Sequence, residues 1–357
     1  MNYKETDIRL VKDKETWDCL TDKSDVASFM QGWNWGEVKR QFGWTIARFC
    51  VFDDNNSPIA GIQMMLRVRA AFFGRLNVGL AYIPRGPIGD LTDSRSMALL
   101  DYARLYAKSK GVSFLRVEPA YNVNFDYSDL LITNGYKPSP NFVQIRHTGH
   151  IDLVPNLDKI MSDFKSKTRY NIRLGIRKGV AVRIASNSTD FQSFYENTVE
   201  TGFRDGFAVH SKDYYHSVWQ SYHPNAGALL IASYGNVDVA SLLVIKFGEV
   251  ATYLYGASRA IHRNMMPSHV LQWEAIKWAQ EMGCRIYDFW GMDDPEDDSD
   301  PMRGVGRFKH GFNPTLIEHP GTYDFVVNKY GYFFINKLLI PLRSFKDSLH
   351  LRRDAGK

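Results

Sequence analysis

The sequence predicts an α/β (α+β) protein of two tandem units, each a mixed sheet with flanking helices. Size and composition are the first indication. A chain of 357 residues with 44% apolar and 23% charged side chains can fill two hydrophobic cores, which excludes a fibrous, collagen-like or disordered protein. The second is an internal repeat: LLDYARLYAKSKGVSFLRVEP, from Leu99, shares its layout with LQWEAIKWAQEMGCRIYDFWG, from Leu271. Leu99, Ala103, Tyr106, Ala107 and Gly111 answer to Leu271, Ala275, Trp278, Ala279 and Gly283, each pair 172 positions apart. Apolar residues at i, i+4 and i+7 make a helix face, and the glycine is a helix stop. The third indication is a set of strand-like runs separated by short turn clusters.

In chain order, WTIARFCVFD, IAGIQMMLRVRA and the run ending at Tyr82 read as strands of the first half. The repeat helix follows, and VSFLRVEP after it reads as a buried strand. In the second half GALLIASYG, VDVASLLVIKFG and ATYLYGAS are strands, followed by the second repeat helix and CRIYDFWG. Turns such as Asp53-Asp54-Asn55-Asn56 and Tyr234-Gly235-Asn236 predict antiparallel hairpins. The join is expected near His147–Ile151, between a strand ending the first unit and a basic helix opening the second, which gives domains 1–149 and 150–321.

Charge is unevenly spread. From Asn328 to Lys357 seven basic residues face two acidic ones, and that surplus equals the net charge of +5. Cys19, Cys50 and Cys284 are too few and too scattered for a disulfide framework or a structural zinc site. No run reaches the roughly 20 apolar residues of a membrane span, and MNYKETDIRL is too polar for a leader, so a cytoplasmic protein is expected.

The segment DFKSKTRYNIRLGIRKGV spaces Lys165, Arg169, Arg173 and Arg177 four apart, on one helical face, with Phe164, Ile172 and Ile176 as an adjacent apolar seam. No acidic residue alternates with them, and like charges at that spacing repel, so a phosphate-bearing partner is expected. The acidic loop GMDDPEDDSDPM lacks the pattern of a calcium site and reads as exposed; no metal is expected. No nucleophile elbow, P-loop or dinucleotide fingerprint occurs. A unit of this kind suggests the GNAT acyltransferase fold, yet IHRNMMPSHV and IGDLTDSRSM lack the glycine-rich turn that holds the pyrophosphate of coenzyme A.

FMQGWNWGEVKRQFGW, YIPRGP, KTRYNIRLGIRKGV, TYLYGAS, LQWEAIKWA and GVGRFKHGF, in this order, resemble the FemABX family of peptidoglycan bridge-forming aminoacyltransferases from about Phe29 to Phe325. The resemblance implies two GNAT-like domains, with segment 322–357 packing back on the first. It implies transfer of an amino acid from aminoacyl-tRNA, as co-substrate without a cofactor, to an amine of lipid II or of UDP-MurNAc-pentapeptide. No helical-hairpin arm is visible, so the armless form is expected. By the same resemblance Lys309, beside Phe308, belongs to the reaction centre, and Lys39 and Arg204 bind the precursor's phosphates. Tyr215 and Tyr255 match tyrosines near the acceptor, and Lys165, Arg169, Arg173 and Arg177 suit tRNA. Without the motif, Lys309 reads as an exposed strand-end lysine and Asp288 as a structural residue ending a strand. The alternatives are a coenzyme A-dependent N-acyltransferase and a non-catalytic RNA- or envelope-binding protein. The tail, with Arg343, Lys346, Arg352 and Arg353, is expected to touch the inner membrane leaflet or to remain a solvated basic extension.

Overall fold

The computed structural model describes residues 6–21, 28–71, 76–90, 93–121, 126–139 and 141–339. The distal cations Arg343, Lys346, Arg352 and Arg353 lie outside them. The described chain divides into two compact units, one of 1–145 with the stretch from Glu318 onward, the other of Arg146–Ile317.

The first unit holds β1 (Ile8–Leu10), α1 (Lys14–Thr21), α2 (Trp33–Gln41), β2 (Thr45–Phe52), β3 (Pro58–Ala71), β4 (Leu76–Pro84), β5 (Ile88–Gly89), α3 (Ala98–Ser109), β6 (Phe114–Glu118), α4 (Tyr127–Thr133) and β7 (Lys137–Pro138). The second holds β8 (His147–Asp152), α5 (Leu157–Asp163), α6 (Ser166–Arg177), β9 (Ala181–Ile184), α7 (Ser188–Asp205), α8 (Lys212–Tyr222), β10 (Gly227–Tyr234), β11 (Val237–Phe247), β12 (Val250–Ser258), α9 (Pro267–Glu281), β13 (Ile286–Gly291), α10 (Arg303–Lys309) and β14 (Thr315–Glu318). The chain then re-enters the first unit as β15 (Tyr323–Val326) and α11 (Lys329–Phe334).

The two sheets have the same order. In the first it runs β1-β2-β3-β4-β6-β15-β7, and in the second, read from its other edge, β9-β10-β11-β12-β13-β8-β14. Hairpin neighbours are antiparallel, while β4–β6 and β12–β13 are parallel because α3 and α9 cross between them. β2 and β10 are buried along most of their length, hence their near-continuous apolar sequences. Leu99, Ala103 and Ala107 of α3 and Leu271, Ala275 and Ala279 of α9 are all buried, and Gly111 and Gly283 end the helices at φ 72° and 75°.

Two expectations need correction. The strand near His147–Ile151 does not end the first unit: β8 pairs with β13 inside the second sheet. Its counterpart in the first sheet is β15, so each sheet is completed by a strand lying beyond its own run of hairpins. The buried pair Arg116–Asp324, 2.7 Å, fastens β15 to β6, and Tyr332 adds a hydroxyl bond to Asp324. The basic segment is also not one helix. Phe164 and Lys165 have extended backbone between α5 and α6, so Lys165 caps α6 from outside.

Candidate functional site

Lys309 lies in a distortion of the second sheet. β12 and β13 pair only from Val250–Thr252 to Ile286–Asp288, whereas β12 continues to Ser258 on β11. The two strands therefore part. Beyond Asp288, β13 bulges: its partner steps from His150 to Thr148, and Trp290 takes φ 55°. A tryptophan in the left-handed region is strained. Its N–H is held by the Asp288 carboxylate at 2.8 Å, and Asp288 also accepts the Thr148 hydroxyl. Asp288 is thus a buried mid-strand residue that fixes the bulge.

The bulge presents the carbonyls of Phe289 and Gly291 to α10. Lys309 Nζ donates to them at 2.9 and 2.6 Å and stands 5.3 Å from the Tyr253 ring centre. Lys309 is 4% exposed, so it is a buried helix residue and not a strand-end surface lysine. Burial pushes its pKa down to about 8, against the opposing pull of Asp288 and Asp293. α10 is seated by Gly306, where a Cβ would lie 1.8 Å from Asp293, and by Phe308, whose ring meets His269 edge-on at 5.0 Å. Asp293 also holds His310 at 2.9 Å. Phe308 therefore acts on the site through packing.

Tyr215 and Tyr255 come together, ring centres 4.9 Å apart at 85°. Burial and its hydroxyl neighbour Tyr214 raise the Tyr255 pKa well above the ordinary value, so both phenols are donors at neutral pH. Arg204 lies in the last turn of α7, paired with Asp205 at 2.7 Å and bonded to the Ser258 carbonyl at 2.5 Å. Arg169 is engaged too, donating to the Ser162 and Phe164 carbonyls that close α5. Arg173 and Arg177 are exposed, and Ile176, 50% exposed, leaves the apolar seam. The buried face of α6 is Thr168, Asn171, Ile172 and Gly175. A Cβ at Gly175 would meet Val270 at 2.5 Å, so the buried face of this motif serves helix packing.

Lys39 belongs to the first unit. The surrounding motif is largely scaffold. The Gln31 amide bonds the Gln63 backbone and the Pro84 carbonyl, Gln63 bonds the Met30 and Gly32 carbonyls, and buried Arg48 bonds Glu37 and Gln63. Gly36 passes over Arg48 and Gln63, where a Cβ would be 2.3 Å from both. This lays α2 on the sheet with Lys39 facing a cavity of about 760 Å³. Its Nζ is 4.5 Å above the Trp35 ring, and burial, then Arg67, push its pKa down to about 8. Arg67 and Arg69 also line this cavity, unnoticed in the sequence. Their i, i+2 spacing on a strand, which puts both on one face, was the available signal.

A family model described as the FemAB family matches residues 13–137, 132–235 and 228–339. The chain belongs to the FemAB family. The lipid II:glycine glycyltransferase of Staphylococcus haemolyticus is 24% identical over 85% of this chain and 89% of its own length. The protein of the same name from Staphylococcus aureus (strain MRSA252) is 24% identical over 90% and 93%. A crystal structure of FemX superposes with a TM-score of 0.83 at 21% identity, covering 92% of this chain and 99% of that one. A tandem GNAT protein from the clavulanic acid pathway reaches 0.56 at 11% identity, covering 90% and 98%. The fold is a tandem GNAT-like pair. Among the described residues, no helix is long and apolar enough to cross a membrane, and no group of three His, Cys, Asp or Glu is placed to hold a metal ion.

Proposed function

We propose that this protein transfers an amino acid from aminoacyl-tRNA to an amine on the stem peptide of a peptidoglycan precursor, in interpeptide bridge formation. The observation that carries the reading is the Lys309 ammonium, clasped by two backbone carbonyls where β12 and β13 part. The names of the full-length relatives supply the reaction class and favour lipid II over the soluble UDP-linked acceptor.

The neutral amine attacks the ester carbonyl, a C–N bond forms, the C–O bond to the ribose breaks, and the amine's proton passes to the ribose oxygen. An ammonium has three N–H bonds. The two carbonyls take two, and the third is left for the oxyanion of the tetrahedral intermediate. In the second unit Tyr215 and Tyr255 orient the acceptor and Arg204 binds phosphate by exchanging Asp205 for it; in the first unit Lys39 is a phosphate-binding cation in its own right. Exposed Arg173 and Arg177 contact tRNA phosphates. A coenzyme A donor is disfavoured by the start of α9: Pro267 has no N–H to offer, and the Met265 carbonyl is packed against Gly175.

Incubation with a mixed charged-tRNA pool and lipid II, followed by mass analysis, is expected to give a precursor heavier by one aminoacyl residue or more. Acetyl transfer from acetyl-CoA, with no product from charged tRNA, would falsify the reading.

A further inference from the structure

α10 has seven residues, too few to hold Lys309 by helix bonds alone, so its neighbours must fix it. The turn that follows, His310–Phe312, is tied to the start of α6. The Lys165 N–H donates to the Gly311 carbonyl at 3.0 Å, and a Cβ at Gly311 would lie 2.4 Å from the Thr168 hydroxyl. Phe312, 1% exposed, packs edge-on to Phe164 at 5.2 Å. It also lies 5.3 Å from the ring of Phe289, whose carbonyl accepts from Lys309. His269, in the first turn of α9, meets two rings of the same segment. It stands edge-on to Phe308 and lies at 27° to Phe312, and its Nε2 accepts a 3.2 Å hydrogen bond from the Asn171 amide.

Packing alone does not call for that bond. Asn171 is 8% exposed and lies on the buried face of α6, a place where apolar side chains would fill the space as well. Exchanging both partners of a buried hydrogen bond for apolar groups of the same shape costs little stability. What the amide–imidazole bond adds is direction. An amide N–H only donates, so Nε2 is the acceptor and the ring proton sits on Nδ1. Burial, then Lys167, draw the His269 pKa down to about 4, which keeps this neutral tautomer at physiological pH. A ring held in one plane holds Phe308 and Phe312, which stand on either side of Lys309 in the chain.

We infer that Asn171 and His269 are positioning residues for the transfer. The amide fixes the imidazole, and the imidazole fixes the two phenylalanines that keep the Lys309 ammonium on the Phe289 and Gly291 carbonyls. The inference rests on the role given to Lys309 above. The test is Asn171→Leu with His269→Phe, which keeps shape and removes the bond, beside Asn171→Leu alone, which leaves the ring free to turn. Both are expected to keep the wild-type melting temperature and the KM for lipid II and for charged tRNA. Both are expected to lower kcat by about 10-fold or more, because a misplacement of about 1 Å at a reacting centre is costly. A second readout needs no turnover: titration of Lys309 in protein labelled with ¹³C at lysine Cε, its signal assigned through Lys309→Met. In the wild type it titrates at about 8, and in both variants it is expected to rise toward 10.5 as the ammonium loses its burial. Asp288, Asp293 and Tyr253 face Lys309, His310 faces Asp293, and Lys167 faces His269. None of these is altered, so the rise reports the seating of Lys309 itself. A titration still near 8 in both variants would overturn the inference whatever kcat does, as would an unchanged kcat. Failure of the transfer reading shows separately, as no product from charged tRNA with the wild type, while the titration still decides how Lys309 is held.

Discussion

At the residue scale, Lys309 carries two consequences of opposite sign. Burial lowers its pKa from 10.5 to about 8, so between those values the unfolded chain binds more protons than the folded one. The ammonium therefore weakens the fold below about pH 8, and stability is regained as pH rises to 10.5. The depression corresponds to roughly 3 kcal/mol. If the ammonium serves the oxyanion, turnover runs the other way and falls as pH rises through about 8. Lys309→Met is expected to reduce turnover by about 100-fold or more, with acceptor affinity kept, because the contact is made mainly in the transition state. It should also flatten both pH dependences, read by single-turnover rates and by urea denaturation. A wild-type alkaline limb retained in the variant would assign that limb to another group. Lys309 was legible through its motif, but its burial was not, because the Trp290 bulge that draws two carbonyls toward it has no signature in local pattern. Arg67 and Arg69 were missed for a simpler reason: apolar alternation along β3 identified the strand and drew attention from the charged positions within it.

At the element scale, α6 has two faces with separate work. Its inner face meets α9 through Gly175, so Gly175→Val forces a methyl group against Val270 and the Met265 carbonyl. Overpacking of this kind is expected to lower stability by about 1–3 kcal/mol, measured by urea unfolding. Its outer face carries Arg173 and Arg177, both exposed. Arg173→Gln with Arg177→Gln should leave the melting temperature unchanged, because Gln and Arg have similar helix propensity. The same double substitution should flatten the salt dependence of tRNA binding by up to about 2 in slope. An unchanged slope would return this face to solvent. Arg169 is excluded from the pair because it bonds the last carbonyls of α5. Charge spacing revealed the outer face of α6 in the sequence. The buried set Thr168, Asn171, Ile172 and Gly175 is only partly apolar, and periodicity alone passes over such a face.

At the scale of the whole molecule, the repeat was legible because α3 and α9 carry local helical spacing with a glycine stop. The exchange of β8 and β15 was not, since pairing of β15 with β6 joins residues some 200 positions apart, and no local pattern encodes it. That exchange makes a prediction about truncation. A chain ending at residue 317 keeps every strand of the second sheet except the last residue of its edge strand β14, but loses β15 from the interior of the first. β6 would then expose Leu115 and Val117 along a new edge, and β7 would have no partner. Arg116 would be left without Asp324, and breaking a buried pair from one side costs about 3–5 kcal/mol. With the loss of Tyr323 from the core, the total approaches the roughly 5–15 kcal/mol that stabilises a whole domain. Hydrogen exchange on the truncated chain should therefore show protection lost across β2, β3, β4 and β6 and retained across β10, β11 and β12. Equal protection in the two sets of strands would mean that the first sheet stands without its returning strand. Arg116→Met with Asp324→Leu in the full-length chain separates the two contributions: it removes the ion pair but keeps the strand, and exchange in β6 is expected to stay slow.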